Sequence, residues 1–304
     1  MRDGRDLAFS RYGRAGGRPL YFFHGLPGSR LQAALLHAPA AAGGVCLIGV
    51  DRPGFGRSTP APRRTILDWP VDIAQLADRL GHARFGVLGV SCGGPYALAC
   101  AHRIADRLDF AGLLAGMGPM DVPELRRGQL PVLRALFALA QWHPALIAPV
   151  LLLDRVLWRS DARRAVRGFA ALLTAPDRAL FEREQSAALD FGRSLAEAYN
   201  QGIGGAMREV WLIGAPRGFR LEEIAFPVHL YQGGDDRHVP PAMAQYMAAR
   251  LPNARLRRYA GDGHVSVVVN AFPDCLGDFL AGSGAPPITG STTNAPARDH
   301  GNRT

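Results

Sequence analysis

The sequence lacks lysine altogether, so all 35 of its lysine-or-arginine positions are arginine. Against 26 acidic residues they give a formal net charge of +9 and an isoelectric point near 10.1. A strongly basic chain can bind nucleic acid, but the arginines that cluster before Thr65 and over residues 250–258 have no interleaved aromatic residues and match no nucleic-acid-binding motif. We therefore interpret them as a solvated surface, with an anionic partner as the lesser alternative, and expect no nucleic-acid partner.

The sequence also has few cysteines and no Cys-x-x-Cys pair. Such pairs are typical of zinc sites, and a disulfide-bonded domain is usually dense in cysteine. The pattern therefore gives no reason to expect a metal or any other cofactor. The cysteines present lie mostly in apolar segments, and we expect buried free thiols at Cys46, Cys92, Cys100 and Cys275.

Long uncharged apolar runs are missing as well. A helix that crosses a membrane needs roughly 18 such residues, whereas the longest candidate, residues 145–153, is short and contains Pro149. The first residues are charged and lack the apolar region of a secretory signal. The sequence predicts no membrane span, and the default expectation is a cytoplasmic protein.

What is present is an alternation of short apolar runs and helix-period patterns, which is typical of a mostly parallel sheet with helices on both faces. The alternation stops after Gly118, where prolines separate patches of helical period, and it resumes at Pro227. We therefore predict an α/β core of residues 1–117 and 227–282, a helical cap insertion of residues 118–226 and a disordered tail of residues 283–304. Within the insertion, the predicted helices cover residues 129–141, 146–158, 162–173, 177–189 and 194–201.

One stretch carries a chemical signature. Gly89-Val90-Ser91-Cys92-Gly93 fits the Gly-x-Ser-x-Gly nucleophile elbow, in which a strained turn between a strand and a helix exposes one serine oxygen. The required context is there, since residues 85–88 read as an apolar strand and residues 95–104 as a helix. The glycines have a steric reason, because a Cβ atom would not fit where strand and helix crowd together. The alternative is an ordinary glycine turn with a capping serine.

A neutral serine is a poor nucleophile, so Ser91 needs a base and the base needs an orienting acid. Asp236 follows one predicted strand and His264 follows the next, which brings both to the same edge of the sheet. The order Ser91, Asp236, His264 is the order of α/β-hydrolases. The rival acids are Asp235 and Asp121, and the rival histidines are His238 and His24.

The chain resembles the α/β-hydrolase superfamily over roughly residues 3 to 280. The resemblance rests on the elbow, the Gly-His turn at His264 and three further motifs: the His24-Gly25 turn, the Asp51-Arg52-Pro53-Gly54-Phe55-Gly56 loop and the Gly-Gly-Asp-Asp-x-x-Val-Pro segment. It implies a sheet of about eight strands, although the family's first strand usually precedes the Asp-Gly turn that begins here at Asp3. The family pattern puts the acid four residues before the proline, which selects Asp236.

The resemblance also implies an oxyanion hole made of two backbone N–H groups, those of Leu26 and Cys92. We expect Leu26 to line the substrate pocket. His24 is included as a substrate-binding candidate, although a structural role in the oxyanion turn fits its position better than a role as base.

The sequence predicts a serine hydrolase that needs neither metal nor cofactor and acts on a small to mid-sized hydrophobic ester. Serine at position 91 argues against the dehalogenases and epoxide hydrolases of this fold, which use a carboxylate nucleophile. Carbon–carbon bond hydrolases, cofactor-free haloperoxidases, peptidases and a catalytically silent ligand-binding member stay open as alternatives. The sequence does not determine the oligomeric state.

Overall fold

A seven-stranded sheet forms the centre of the computed structural model, which describes residues 1–161, 166, 169 and 172–282. The strand order is β1-β3-β2-β4-β5-β6-β7, with β1 antiparallel to β3 and the other neighbours parallel. This confirms the mostly parallel α/β fold, and seven strands in the described part of the chain come close to the expected eight. The strands are β1 (Phe9–Gly13), β2 (Arg18–Phe23), β3 (Val45–Val50), β4 (Phe85–Val90), β5 (Leu108–Leu114), β6 (Val228–Gly233) and β7 (Ala254–Tyr259).

Helices connect the strands and fill the segment between β5 and β6. None of the described helices combines the length and apolar character needed to cross a bilayer. The α-helices are α1 (His37–Ala42), α2 (Trp69–Leu80), α3 (Gly94–Arg103), α4 (Pro131–Trp142), α5 (Ala148–Ser160), α6 (Ala175–Arg183), α7 (Gln185–Ala198), α8 (Gly204–Gly214), α9 (Pro241–Arg250), α10 (Ser266–Asn270) and α11 (Phe272–Ala281). Short 3-10 helices lie at Arg30–Leu36, Ile66–Asp68, Ser91–Gly93, Ala105–Arg107, Pro123–Arg126, Pro144–Ile147 and Leu221–Glu223.

The first strands show why the sheet is covered on both faces. Side chains alternate across a strand, and in β2 the alternation sorts four buried apolar residues into two cores. Tyr21 and Phe23 pack in one core together with residues of α2 and α3. Leu20 and Phe22 pack in the other core with residues of α1 and α11.

The segment between β5 and β6, which we call the insertion, consists of helices joined by turns and loops in its described part. Three details differ from the sequence prediction. The patch predicted over residues 177–189 breaks at Glu184, between α6 and α7. Helix α7 then continues to Ala198 and so joins the patch predicted over residues 194–201, and helix α8 was not predicted at all. Most of the helix predicted over residues 162–173, and the whole tail predicted over 283–304, lie outside the described residues.

A buried ionic cluster joins the insertion to the core. Glu209 of α8 is completely buried and pairs with Arg52, whose Nε lies 2.8 Å from Glu209 Oε1, and with Arg64. Tyr96 of α3 also donates to Glu209 Oε2, at 2.9 Å. Burial alone would raise the pKa of Glu209, but the charges of Arg52 and Arg64 lower it overall. The carboxylate therefore stays ionised between two buried guanidinium groups.

We expect Glu209→Ala to lower the free energy of unfolding by about 3–5 kcal/mol, because it leaves buried arginine charges without a partner. Chemical denaturation followed by circular dichroism measures the change. Glu222→Ala is the matched control, since Glu222 is 44% exposed and its nearest arginine nitrogen is 3.6 Å away, and it should cost about 0–1 kcal/mol. Equal effects of the two substitutions would contradict a structural role for the buried cluster.

Candidate active site

Ser91 stands in a strained turn between β4 and α3. Its φ angle is +52°, in the left-handed region that residues other than glycine rarely occupy. The side chain is largely buried, with 6% of the residue exposed. The turn confirms the strand, sharp turn and helix that the elbow motif predicts.

The glycines around Ser91 allow the backbone segments to approach one another. A Cβ atom on Gly89 would lie 2.4 Å from the carbonyl oxygen of Gly93, and one on Gly93 would lie 2.1 Å from that of Phe23. Neither contact is sterically possible, so both positions need glycine. The same approach brings the end of β2, and the turn that follows it, against the elbow.

Asp236 and His264 meet beside the elbow, although they lie in loops after different strands. Asp236 Oδ2 is 2.8 Å from His264 Nδ1, and the aspartate side chain is completely buried. Asp236 Oδ1 accepts the backbone N–H groups of His238 and Val239, each at 2.8 Å. These bonds hold the carboxylate in place, so it fixes the imidazole with Nδ1 as the donor.

The environment of His264 favours its charged form. Burial would lower the pKa of this imidazole, but the carboxylates of Asp236 and Asp177 raise it overall. His238 stacks on it, with ring centroids 4.8 Å apart and an interplanar angle of 21°. Burial and the neighbouring His264 lower the pKa of His238 to about 4. His238 is therefore neutral near pH 7.

The rival acids occupy other surroundings. Asp235 is exposed, and Asp121, in the turn after β5, is exposed as well. Neither makes a described hydrogen bond to His264, whereas Asp236 does. Of the rivals, His238 is the one that reaches the site, as part of its wall.

Ser91 and His264 face a common cavity of about 270 Å³. Leu26 and Cys92 line it beside them, and a Cβ atom placed on Gly25 would lie 3.5 Å from Ser91 Cβ. The insertion contributes a mostly apolar wall, in which Asp154 and Tyr199 are the polar members. Its apolar members are Val132, Leu133, Leu136, Phe137, Val150, Leu151, Leu153, Leu157, Trp158, Phe169, Leu172, Phe191, Leu195 and Val210. The cavity thus joins a polar corner to an apolar chamber.

His24 stabilises the turn beside Ser91 from its buried side. It is completely buried, its Nδ1 lies 2.8 Å from the carbonyl oxygen of Gly25, and its Nε2 accepts the N–H of Arg52. Burial and the charge of Arg52 lower the pKa of His24 well below its usual range. Among the described residues, Leu26 lines the cavity and His24 does not. The geometry thus gives His24 a structural place in the turn.

Arg52 extends this support to the buried ionic cluster. Its guanidinium donates to the carbonyl oxygens of His24, at 2.5 Å, and Gly25, at 3.1 Å. The turn that carries Leu26 is therefore connected, through Arg52, to Glu209 of the insertion. The sequence places Arg52 in a loop motif of the family but gives no sign of this distant partner.

Three potential metal ligands cluster at this site, namely Asp236, His238 and His264, with ligand atoms within 4.8 Å of one another. The arrangement suits a metal poorly. Asp236 and His264 already bond each other, and nearly parallel stacked rings direct their in-plane lone pairs side by side instead of toward one point. We therefore assign the cluster to the Asp236–His264 pair and its wall.

The comparisons with known proteins agree with this geometry. A family model described as the alpha/beta hydrolase fold matches residues 18–271. The chain belongs to the alpha/beta hydrolase family.

Several alpha/beta hydrolases of known name resemble this one. RutD of Caulobacter vibrioides, named as a candidate carbamate hydrolase, is 27% identical over 246 residues, which cover 78% of this chain and 81% of the relative. A poly(3-hydroxyalkanoate) depolymerase from Ectopseudomonas oleovorans is 27% identical over 261 residues, 83% of this chain and 80% of its own. The enol-lactonase structure from Burkholderia xenovorans LB400 has a TM-score of 0.64 at 21% identity and covers 92% of this chain and 98% of that one. The structural likeness shows the fold.

Asp177 is a site residue of this hydrolase that sequence reasoning missed. It lies in the first turn of α6, in the insertion, and is completely buried. Its carboxylate accepts three successive backbone N–H groups, from His264 at 3.1 Å, Val265 at 2.9 Å and Ser266 at 2.8 Å. The insertion thereby fixes the loop that carries His264 and adds a negative charge near its imidazole. No spacing or motif in the sequence connects Asp177 to residues 87 or more positions away.

We expect Asp177→Asn to lower the pKa of His264, because one of the negative charges that stabilise its imidazolium form is removed. It should also lower the free energy of unfolding by about 1–3 kcal/mol, since the new amide group meets N–H donors. A titration of the labelled histidines by NMR measures the pKa. Asp235→Asn is the control, because Asp235 is exposed beside Asp236. It should leave the pKa of His264 unchanged. An unchanged pKa in Asp177→Asn would refute the electrostatic part of this assignment.

Proposed function

We propose that this alpha/beta hydrolase is a serine esterase that cleaves small to mid-sized hydrophobic carboxylic esters through an acyl-enzyme on Ser91. The observation that carries the proposal is the 2.8 Å contact between the buried Asp236 and His264, which lines the same cavity as Ser91. Nucleophile, base and orienting acid are the parts that acyl transfer needs. Leu26 would line the acyl pocket, while the buried His24 keeps its structural place.

The first half of the reaction forms the acyl-enzyme. Ser91 Oγ attacks the ester carbonyl carbon while His264 Nε2 takes the hydroxyl proton, and Asp236 stabilises the imidazolium that results. The backbone N–H groups of Leu26 and Cys92 stabilise the oxyanion, and such donors are typically worth about 3 kcal/mol each. His264 then gives its proton to the leaving alkoxide, and the alcohol departs.

The second half releases the acid. A water molecule attacks the acyl carbon as His264 takes its proton, and the collapse of the tetrahedral intermediate returns the proton to Ser91. Asp236 keeps Nδ1 protonated throughout, because its two oxygens are held by the imidazole and by backbone N–H groups. The cycle therefore needs no metal or organic cofactor.

The apolar wall of the cavity supports a hydrophobic acyl group. Its chamber is lined mostly by leucine, valine and aromatic side chains of the insertion, which gain by excluding water from an alkyl chain. The names of the relatives include a depolymerase of poly(3-hydroxyalkanoate) and a lactonase, and both substrates are esters. These names support ester chemistry without identifying the substrate of this chain.

Ser91→Ala should lower kcat on p-nitrophenyl esters by roughly 10⁴-fold or more, because the nucleophile is lost. It should also abolish labelling by a fluorophosphonate probe. Ser10→Ala, in the edge strand β1, is the control and should retain full activity. Turnover by the Ser91→Ala protein at the wild-type rate would remove the mechanism, and a labelled wild-type protein that turns over no ester, amide or carbon–carbon substrate would favour a ligand-binding member.

The pH dependence follows from the raised pKa of His264. Protonated His264 cannot act as base, so kcat/KM should fall on acidification with a midpoint above 6.5, the usual imidazole value. Asp236→Asn should move the midpoint to lower pH and reduce kcat by about 10⁴-fold. Steady-state rates on a neutral ester over the acid limb measure both effects. An Asp236→Asn enzyme with unchanged rate and midpoint would contradict the assignment of the acid.

A further inference from the structure

The insertion presents an unusually apolar surface. Eleven large hydrophobic side chains of the described residues are at least 38% exposed, and all but Val71 belong to the insertion. Trp142 is the most exposed of them, at 82%. We call the following set, on α4, α5 and the short 3-10 helix between them, the outer face: Val132, Leu139, Trp142, Leu146, Val150, Leu152, Leu153 and Val156.

The outer face follows helical spacing. Positions 132, 139 and 142 of α4 are separated by seven and then three residues, and positions 150, 153 and 156 of α5 lie at three-residue steps, so each set forms one stripe along its helix. An apolar stripe on a helix normally packs against the rest of the protein. Here the stripe is solvent-facing, and contiguous exposed patches of this kind mark interaction sites.

Part of the outer face borders the opening of the cavity. Val132, Val150 and Leu153 line the cavity that contains Ser91, and they are also 48%, 48% and 61% exposed. A side chain that both lines a cavity and meets solvent stands at its mouth. The apolar chamber is therefore continuous with the apolar exterior, without a polar rim at these three positions.

The charges beside the outer face are mostly positive. Only one of residues 128–153 is charged, namely Arg134. Arg126, Arg127, Arg155 and Arg159 flank this stretch and outnumber the nearby carboxylates, which are Glu124, Asp154 and Asp161. Within the described part of the chain, none of these five arginines has a carboxylate partner, and Arg155 and Arg159 donate to oxygens of Tyr199 and Asn200. Asp154, the carboxylate of α5, bonds Tyr199 and Trp158 instead.

We propose that the outer face docks on an anionic lipid surface, and that the enzyme draws its ester substrate from that surface through the cavity mouth. The inference rests on the proposed esterase activity of Ser91. Exposed leucine, valine and tryptophan side chains enter the boundary of a lipid layer, and unpaired arginines pair with anionic headgroups. The substrate is then an acyl ester of a lipid, which reaches the chamber without crossing water.

A second copy of the chain fits the outer face less well. A two-fold interface would bring the face against itself, and with it the five unpaired arginines, whose like charges repel. It would also cover Val132, Val150 and Leu153 and so close the mouth. A lipid layer meets the arginines with opposite charge and supplies substrate at the opening.

The test measures how the whole chain partitions onto vesicles of phosphatidylcholine with and without phosphatidylglycerol. The wild type should bind the anionic vesicles. Trp142→Ser combined with Leu146→Ser should weaken binding by about tenfold or more, because two large apolar side chains are lost outside the cavity. Arg155→Gln and Arg159→Gln should each weaken it by about fivefold, an effect that salt suppresses.

Val71→Ser is the matched control, since Val71 is 56% exposed on α2 and does not line the cavity. It should leave vesicle binding unchanged. The Trp142/Leu146 variant should hydrolyse soluble p-nitrophenyl butyrate at the wild-type rate but lose about tenfold on p-nitrophenyl decanoate incorporated in anionic vesicles. Binding is also measured with Ser91→Ala, so that docking is scored without turnover.

The proposal is overturned if the wild type hydrolyses the soluble ester but does not bind anionic vesicles, or if the outer-face variant and Val71→Ser bind equally. It is also overturned if sedimentation shows a dimer that the Trp142/Leu146 variant dissociates and vesicles bind neither protein. Absence of soluble ester hydrolysis together with an unlabelled Ser91 would instead refute the proposed function itself.

Discussion

The close approach of backbone segments at the elbow is the constraint on which the site depends. Gly89 and Gly93 let β4, the start of α3 and the end of β2 come together at distances that any Cβ atom would forbid. This crowding forces Ser91 into the left-handed region and leaves its side chain facing the cavity. The same contact places the turn with Leu26 next to Ser91. The position of the serine and of its neighbouring N–H groups is thus a product of backbone packing, and the side chains only complete it.

The insertion stabilises the loops that carry His264 and Leu26. Asp177 of α6 holds the loop of His264 through three backbone N–H groups. Glu209 of α8 pairs with Arg52, which in turn bonds the turn before Leu26. The insertion therefore has an anchored part, α6 to α8, whose buried carboxylates bond the core, and an outer part, α4 and α5, whose exposed side is apolar. Changes in the anchored part should disturb the reacting groups, whereas changes in the outer part should alter access to them.

Much of the core was predictable because its signals are local. The elbow glycines, the strand before them and the positions of Asp236 and His264 after successive strands are all visible in short stretches of sequence. The support from the insertion was not predictable, because Asp177 and Glu209 act on partners that are distant in sequence and carry no motif. Helix α8 was missed since it begins with two glycines, which are poor helix formers. The structure gives the second one a reason: a Cβ atom on Gly205 would lie 2.2 Å from the carbonyl oxygen of Gly54, so close packing against the core requires glycine there.

The chain contains arginine but no lysine, and its arginines have different roles in the buried cluster and beside the outer part of the insertion. Where arginine is buried, as at Arg52 and Arg64, its planar group serves several acceptors at once, including Glu209 and backbone carbonyl oxygens. Such a group loses its hydration on folding, and these partners offset that cost at Arg52 and Arg64. The arginines beside α4 and α5 are not paired with carboxylates in the described structure, and they flank a surface that is mostly apolar. An anionic lipid surface stabilises both features at once. Its headgroups pair with the arginine charges, and its acyl region takes up the exposed apolar side chains.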